Sequence, residues 1–256
     1  METIQTWKRH GIAWIRFHRP AVRNAVNIQM MAELEEQLTV LSEDEDVKVL
    51  VFVGDERTFV SGGDLGEFHQ LKSKEEVFPV MHRMGRLLER VRDWGKPTIA
   101  AVQGTAVGGG CEIVASCDFR LATEGARFGF IQSSLGITTG WGGGSRLLEE
   151  LPRHQALYLL LSGERVDASL LADWGWIHRI LPADGFEKEV ERFATTLAQA
   201  SLPVIQAYVQ LANQTRQGQT RAELVAGEAQ SCAVLWETEE HLRAVESFLH
   251  RTRGKE

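Results

Sequence analysis

The spacing of apolar residues changes several times along this 256-residue chain. Residues 4–8 and 12–17 carry strand-like apolar runs on either side of His10-Gly11, which predicts a β-hairpin. Arg19-Pro20 ends the second strand, and Asn27 is placed to cap a helix whose apolar residues Ile28, Met31, Leu34, Leu38 and Leu41 recur at three- and four-residue spacing. Residues 47–53 form a nearly continuous β-branched run, the pattern of a strand covered on both faces. Residues 98–102 and 119–122 repeat that pattern. Between these runs lie a helix through Met81, Met84, Leu87 and Val91 and a short apolar helix ending at Ser116. Strands alternating with helices predict a mostly parallel α/β fold. Beyond Gly142 the period is helical: residues 146–151, 155–161, 168–174, 186–200, 204–215, 221–235 and 239–249 read as helices, with one short strand at 177–181. Pro152, Gly163, Pro182 and Pro203 mark the breaks.

Composition narrows the class. Hydrophobic residues make up 43% and charged residues 25%, as in ordinary globular proteins, and neither repeats nor a Pro/Gly/Ser linker interrupt the chain. The expected organisation is a core over residues 1–195 that carries the functional site and a helical region over 196–256. With 28 basic and 35 acidic residues the net charge is −7, so no global basic field exists to draw in nucleic acid, and no nucleic-acid partner is expected. Cys111, Cys117 and Cys232 form neither a C-x-x-C pair nor a cluster with histidines. They are expected to be reduced core thiols, with no metal site. The N-terminus lacks the basic start and apolar run of a secretory signal, and no apolar stretch approaches the roughly 18 residues of a membrane span. No membrane partner and a cytoplasmic location are the corresponding expectations.

The chemistry must come from the glycine-rich stretches between Gly54 and Gly144. No P-loop, no G-x-G-x-x-G after a strand, no H-E-x-x-H and no G-x-S-x-G occurs. Two glycine loops remain, Ser61-Gly62-Gly63 and Gly108-Gly109-Gly110, each between a buried strand and a helix. Such loops either make tight turns and close helix packing or offer unpaired amides. Two amides converging on one oxygen make an oxyanion hole.

Three longer motifs decide between those readings. Phe59-Val-Ser-Gly-Gly-Asp64, Gly104-Thr-Ala-Val-Gly-Gly-Gly-Cys-Glu112 continuing to Asp118, and Phe128-Gly-Phe-Ile-Gln132 continuing to Gly143 strongly resemble the enoyl-CoA hydratase/isomerase (crotonase) family. The resemblance runs from His18-Arg-Pro with Arg23-Asn-Ala25 to Phe248-Leu-His-Arg251. It implies an α/β fold of repeated ββα units arranged as a spiral, with a C-terminal helical region that forms a homotrimer or a dimer of trimers. It also implies an acyl-CoA thioester as substrate, with coenzyme A as part of the substrate and no separate cofactor. Carried over by position, Gly63 and Gly109 donate their amides to the thioester oxygen, and Glu112 matches the first catalytic glutamate of the hydratases. Val22, Arg23, Ala25 and Ser61 match positions lining the CoA nucleotide, and Phe248 and Arg251 match a C-terminal segment that completes a neighbour's site. Taken alone, Arg23 reads as a solvated charge and Glu112 as an acid complementing a helix N-terminus.

The departure from the hydratase pattern is Gln132, which stands where those enzymes carry a second glutamate. A neutral amide orients water but cannot exchange a proton at neutral pH. The expected activity is therefore enolate chemistry with Glu112 as the single proton-transfer residue, either double-bond isomerisation or loss of CO₂ from a malonyl-type thioester. Weak hydration and a non-catalytic acyl-CoA or RNA-binding scaffold are the alternatives. Gly140-Trp-Gly-Gly-Gly-Ser-Arg146, preceded by Asp118-Phe-Arg-Leu-Ala-Thr123, resembles the ethylmalonyl-CoA decarboxylase branch, and Trp141 reads either as a wall that limits the acyl pocket to short chains or as core.

Overall fold

The computed structural model describes residues 1–253, with side chains for residues 1–250. Contacts divide the chain into two compact units, Met1–Gln199 and the remainder from Ala200.

In the first unit β1 (Ile4–Arg9) and β2 (Ile12–Phe17) form the expected hairpin, pairing Ile4 with Phe17 and Arg9 with Ile12. His10 and Gly11 both take positive φ, the two-residue turn whose twist suits a hairpin. Asn27 caps α1 (Ile28–Glu43), its side chain accepting from the amide of Met30 at 2.9 Å.

Thereafter the chain repeats one unit. A buried strand in a large sheet, a short strand in a small one and a helical segment recur as β3 (Val49–Val53), β4 (Thr58–Val60), α2 (Leu65–Phe68) and α3 (Lys74–Arg92). They return as β5 (Thr98–Val102), β6 (Thr105–Val107) and α4 (Gly109–Val114). The third repeat is β7 (Phe119–Thr123), β8 (Arg127–Gly129), a 3₁₀ turn Ile131–Leu135 and α5 (Gly143–Glu150). Then come α6 (Arg153–Ser162), β9 (Val166–Asp167), α7 (Ala168–Asp173), β10 (Arg179–Leu181) and α8 (Phe186–Leu197). The large sheet runs β1-β2-β3-β5-β7-β10 and is parallel beyond the hairpin, and the small sheet runs β4-β6-β8-β9.

Alternation along β3 explains its continuous apolar sequence. Leu50 and Phe52 join the main core with Phe17, Met30 and Met84, whereas Val49, Val51 and Val53 pack with Ile99, Leu121 and the α8 residues Phe186, Val190 and Ala194. The second unit consists of α9 (Leu202–Arg216), α10 (Arg221–Trp236) and α11 (Glu239–Arg253). No residue of α10 is buried, and this corrects the expectation for Cys232: Cys111 and Cys117 are buried thiols, but Cys232 is exposed. Among the described residues no helix is long and apolar enough to cross a membrane.

Candidate active site

The two glycine loops meet at Gly62 and Gly108. A β-carbon on Gly62 would lie 3.6 Å from the Gly109 nitrogen, and one on Gly108 would lie 3.7 Å from the Gly62 α-carbon. Both residues hold positive φ, +108° at Gly62 and +56° at Gly108, which glycine adopts without steric cost. Gly110 serves packing instead, since a β-carbon there would sit 2.1 Å from the Val60 carbonyl oxygen.

Among the described residues the amides of Gly63 and Gly109 are unused, as are those of Gly62 and Gly110 beside them. Val26 bridges Gly63 as in a parallel sheet: its N–H donates to the Gly62 carbonyl and its carbonyl accepts from Asp64 N–H, both at 2.8 Å. In such a bridge the central residue turns its own N–H away from the partner strand. Gly63 thus stands just before Asp64, the cap of α2, in strand-like backbone. Gly109 is the first residue of α4, where the N–H has no intrahelical acceptor. No hydrogen bond among the described residues engages the amide of Gly63 or Gly109.

Glu112, in the first turn of α4, is 2% exposed, and each of its oxygens meets two donors. Oε2 accepts from the Trp141 and Gly143 amides, both at 2.8 Å. Oε1 accepts from Gln132 Nε2 at 3.0 Å and, more weakly, from the Gly140 amide at 3.4 Å. Gly143 opens α5, so this carboxylate ties α4 to the start of α5. A β-carbon on Gly143 would fall 2.5 Å from Glu112 Cγ, so glycine is what lets the two segments touch. Burial pushes the Glu112 carboxyl above the ordinary carboxylate range, while the four donors pull against that shift. Gln132 is 8% exposed, and its Oε1 has no partner among the described residues.

Trp141 is held at both ends of its backbone. Its N–H donates to Glu112, and its carbonyl accepts from Arg146 Nη1 at 2.9 Å. Arg146 is only 1% exposed and pairs through Nη2 with Glu89 at 2.6 Å. The indole, 3% exposed, rests on the glycine loops. A β-carbon on Gly109 would fall 1.9 Å from Trp141 Cζ3, and one on Gly63 would meet Phe68 at 2.8 Å and Trp141 Cζ2 at 3.6 Å.

A second group lies beside Ser61. The Ser61 amide donates to the Arg23 carbonyl at 3.2 Å and its hydroxyl to the Val22 carbonyl at 3.4 Å. Arg23 and Asn24 both take positive φ, rare for residues with side chains. Buried Asn24 holds that turn, accepting from the Arg19 amide and donating to the Thr58 and Phe59 carbonyls. Val22 and Arg23 are exposed and Ala25 is buried.

The structure therefore brings Gly63, Gly109, Glu112, Gln132 and Trp141 together, and Val22, Arg23 and Ser61 together, with Ala25 adjoining. Phe248 is exposed on α11 of the second unit. Arg251 lies outside the residues whose side chains are described. Sequence reasoning assigned no role to Asn24, Phe68 or Arg146, although Asn24 lies inside the Arg23-Asn-Ala25 motif and Arg146 ends the one that starts at Gly140.

The chain resembles known proteins over nearly its whole length. The family described as enoyl-CoA hydratase/isomerase matches residues 8–254. The chain is similar to the 2,3-dehydroadipyl-CoA hydratase of Escherichia coli strain K12, with 31% identity over 251 residues, 98% of this chain and 97% of that protein. It is similar to the ethylmalonyl-CoA decarboxylase of Xenopus tropicalis, with 36% identity over 186 residues, 72% of this chain and 62% of that protein. The crystal structure of an enoyl-CoA hydratase from Bacillus anthracis resembles it with a TM-score of 0.91 at 25% identity, covering 97% of this chain and 96% of that one.

Proposed function

This chain belongs to the enoyl-CoA hydratase/isomerase family of acyl-CoA enzymes, and from that premise we propose that it removes CO₂ from a short malonyl-type acyl-CoA thioester. One observation carries this choice over isomerisation and hydration: both oxygens of Glu112 are occupied by donors, and the neighbouring position is the neutral amide of Gln132. Isomerisation and hydration need a base with a free lone pair, whereas loss of CO₂ takes no proton from the substrate.

In this reading the thioester oxygen accepts the amides of Gly63 and Gly109. The bond from the α-carbon to the carboxylate breaks, its electron pair enters the thioester as an enolate, and CO₂ leaves. The two fixed amides stabilise the charge that develops on the oxygen, so they favour the transition state over the ground state. The α-carbon then takes one proton from water, which the unpartnered Oε1 of Gln132 is suited to orient, and the hydroxide left behind takes up the released CO₂ as bicarbonate. The turn around Val22, Arg23, Ala25 and Ser61 receives the CoA nucleotide.

Hydration is the second reading, favoured by the burial that raises Glu112 towards a pKa useful for proton exchange. A panel of malonyl-, methylmalonyl-, ethylmalonyl- and crotonyl-CoA, followed by mass, separates the readings. The expected result is loss of CO₂ from at least one dicarboxylic thioester and no rapid change in crotonyl-CoA. Fast addition of water to crotonyl-CoA would favour hydration. CoA binding with no product from any member would favour the scaffold.

The second unit supports assembly as a homotrimer or a dimer of trimers. Its helices expose Tyr208, Val234, Trp236, Leu242 and Phe248, apolar surface of the kind subunit contacts bury. Sedimentation equilibrium is expected to give three or six copies; a monomer at micromolar concentration contradicts the assembly.

A further inference from the structure

The acyl group of any substrate held by Gly63 and Gly109 must start beside those two residues, and the volume there is already partly taken. The benzo edge of Trp141 fills the space a β-carbon on Gly109 would take, 1.9, 2.3 and 2.6 Å from Cζ3, Cη2 and Cε3, and borders the place of one on Gly63, 3.6 Å from Cζ2. Phe68 covers Gly63 from another direction, and a β-carbon on Gly108 would meet Ile131 Cγ1 at 3.7 Å. These contacts are all hydrocarbon.

The indole is also poorly able to move aside. Its residue is fastened through the N–H to Glu112 and through the carbonyl to Arg146, and the preceding Gly140 packs on Met81, with a β-carbon there falling 2.9 Å from the Met81 sulfur. On the other side, Gly85 of α3 approaches the backbone, where its β-carbon would be 3.8 Å from the Trp141 α-carbon. Swinging the ring out would also require a new place for a side chain that is 97% covered at present.

We propose that Trp141 is the residue that sets the length limit of the acyl group, closing the pocket at the two amide donors so that short alkyl groups bind and medium chains are excluded. The inference rests on the acyl-CoA reading above and adds the specificity of that site.

Binding of unreactive saturated thioesters tests it independently of turnover. Titration calorimetry with free CoA, acetyl-, butyryl- and octanoyl-CoA is expected to show butyryl-CoA binding at least tenfold more tightly than octanoyl-CoA. In Trp141→Ala that ratio is expected to fall to threefold or less. Trp141→Phe, which keeps an aromatic ring and guards against a collapsed or unfolded alanine variant, is expected to be intermediate. Octanoyl-CoA binding the unaltered protein as tightly as butyryl-CoA overturns the proposal, as does a preference that survives in both variants. If no thioester binds differently from free CoA in the unaltered protein, the acyl site itself is wrong, and both readings fail together.

Discussion

In a Trp141→Ala background, Gly109→Pro is expected to turn over about 10²–10³-fold more slowly than Gly109→Ala, the usual consequence of losing one oxyanion donor. The background matters because the three nearest atoms that a β-carbon at position 109 would meet all belong to the Trp141 ring, the closest at 1.9 Å. In the unaltered protein both substitutions collide with the indole, and a loss of activity would not distinguish sterics from chemistry. Removing the ring clears those three contacts. Proline is otherwise well tolerated at the first position of a helix, where its fixed φ suits the backbone and the missing N–H breaks no helical bond. The pair differs in the amide hydrogen, which proline replaces with its Cδ methylene, so the comparison reads the loss of the donor together with a carbon put in its place. Steady-state rates on the thioester that loses CO₂ fastest make the comparison, and equal kcat values would remove Gly109 from the oxyanion hole.

How much of this site was legible in the sequence depends on what kind of atom does the work. The long strands were readable because Val49–Val53 and Thr98–Val102 are buried on both faces and so run apolar without interruption. The small sheet was not, because β4, β6, β8 and β9 hold only two or three residues each, too few for a period to register. Likewise, the glycine pairs pointed to unpaired amides, and those amides lack acceptors among the described residues. The surroundings of Glu112 were hidden for a physical reason: three of its four donors are backbone amides, at Gly140, Trp141 and Gly143, and a backbone N–H leaves no mark on residue identity. Arg146 opens the predicted helix over 146–151, and nothing in its identity marks it as buried. Only the fold reveals that it is buried beneath the Trp141 carbonyl, with Glu89 as its counter-ion.

The occupied carboxylate leads to the second large effect. Glu112→Ala is expected to cut activity more than 10²-fold and to lower stability by at least about 2 kcal/mol, since a buried donor left unpaired costs roughly 1–3 kcal/mol and two donors at 2.8 Å lose their acceptor. Glu112→Gln is expected to differ sharply. Its amide oxygen can still accept from Trp141 and Gly143, and its amide group can donate to Gln132 once the Gln132 side chain turns its oxygen inwards. Only the long contact from Gly140 is left facing a donor. Thermal unfolding should then stay close to that of the unaltered protein, and CO₂ loss should slow by less than about tenfold, whereas removing a working general acid or base costs about 10²–10⁴-fold. The pH dependence supplies an independent reading. If Glu112 carries the proton, kcat/KM shows a limb at its raised pKa that disappears in Glu112→Gln; if it anchors the Trp141 turn, the profile of the two proteins has the same shape. A stable Glu112→Gln variant that has lost more than 10²-fold in rate, together with that limb, would return proton transfer to Glu112 and the reaction to isomerisation or hydration.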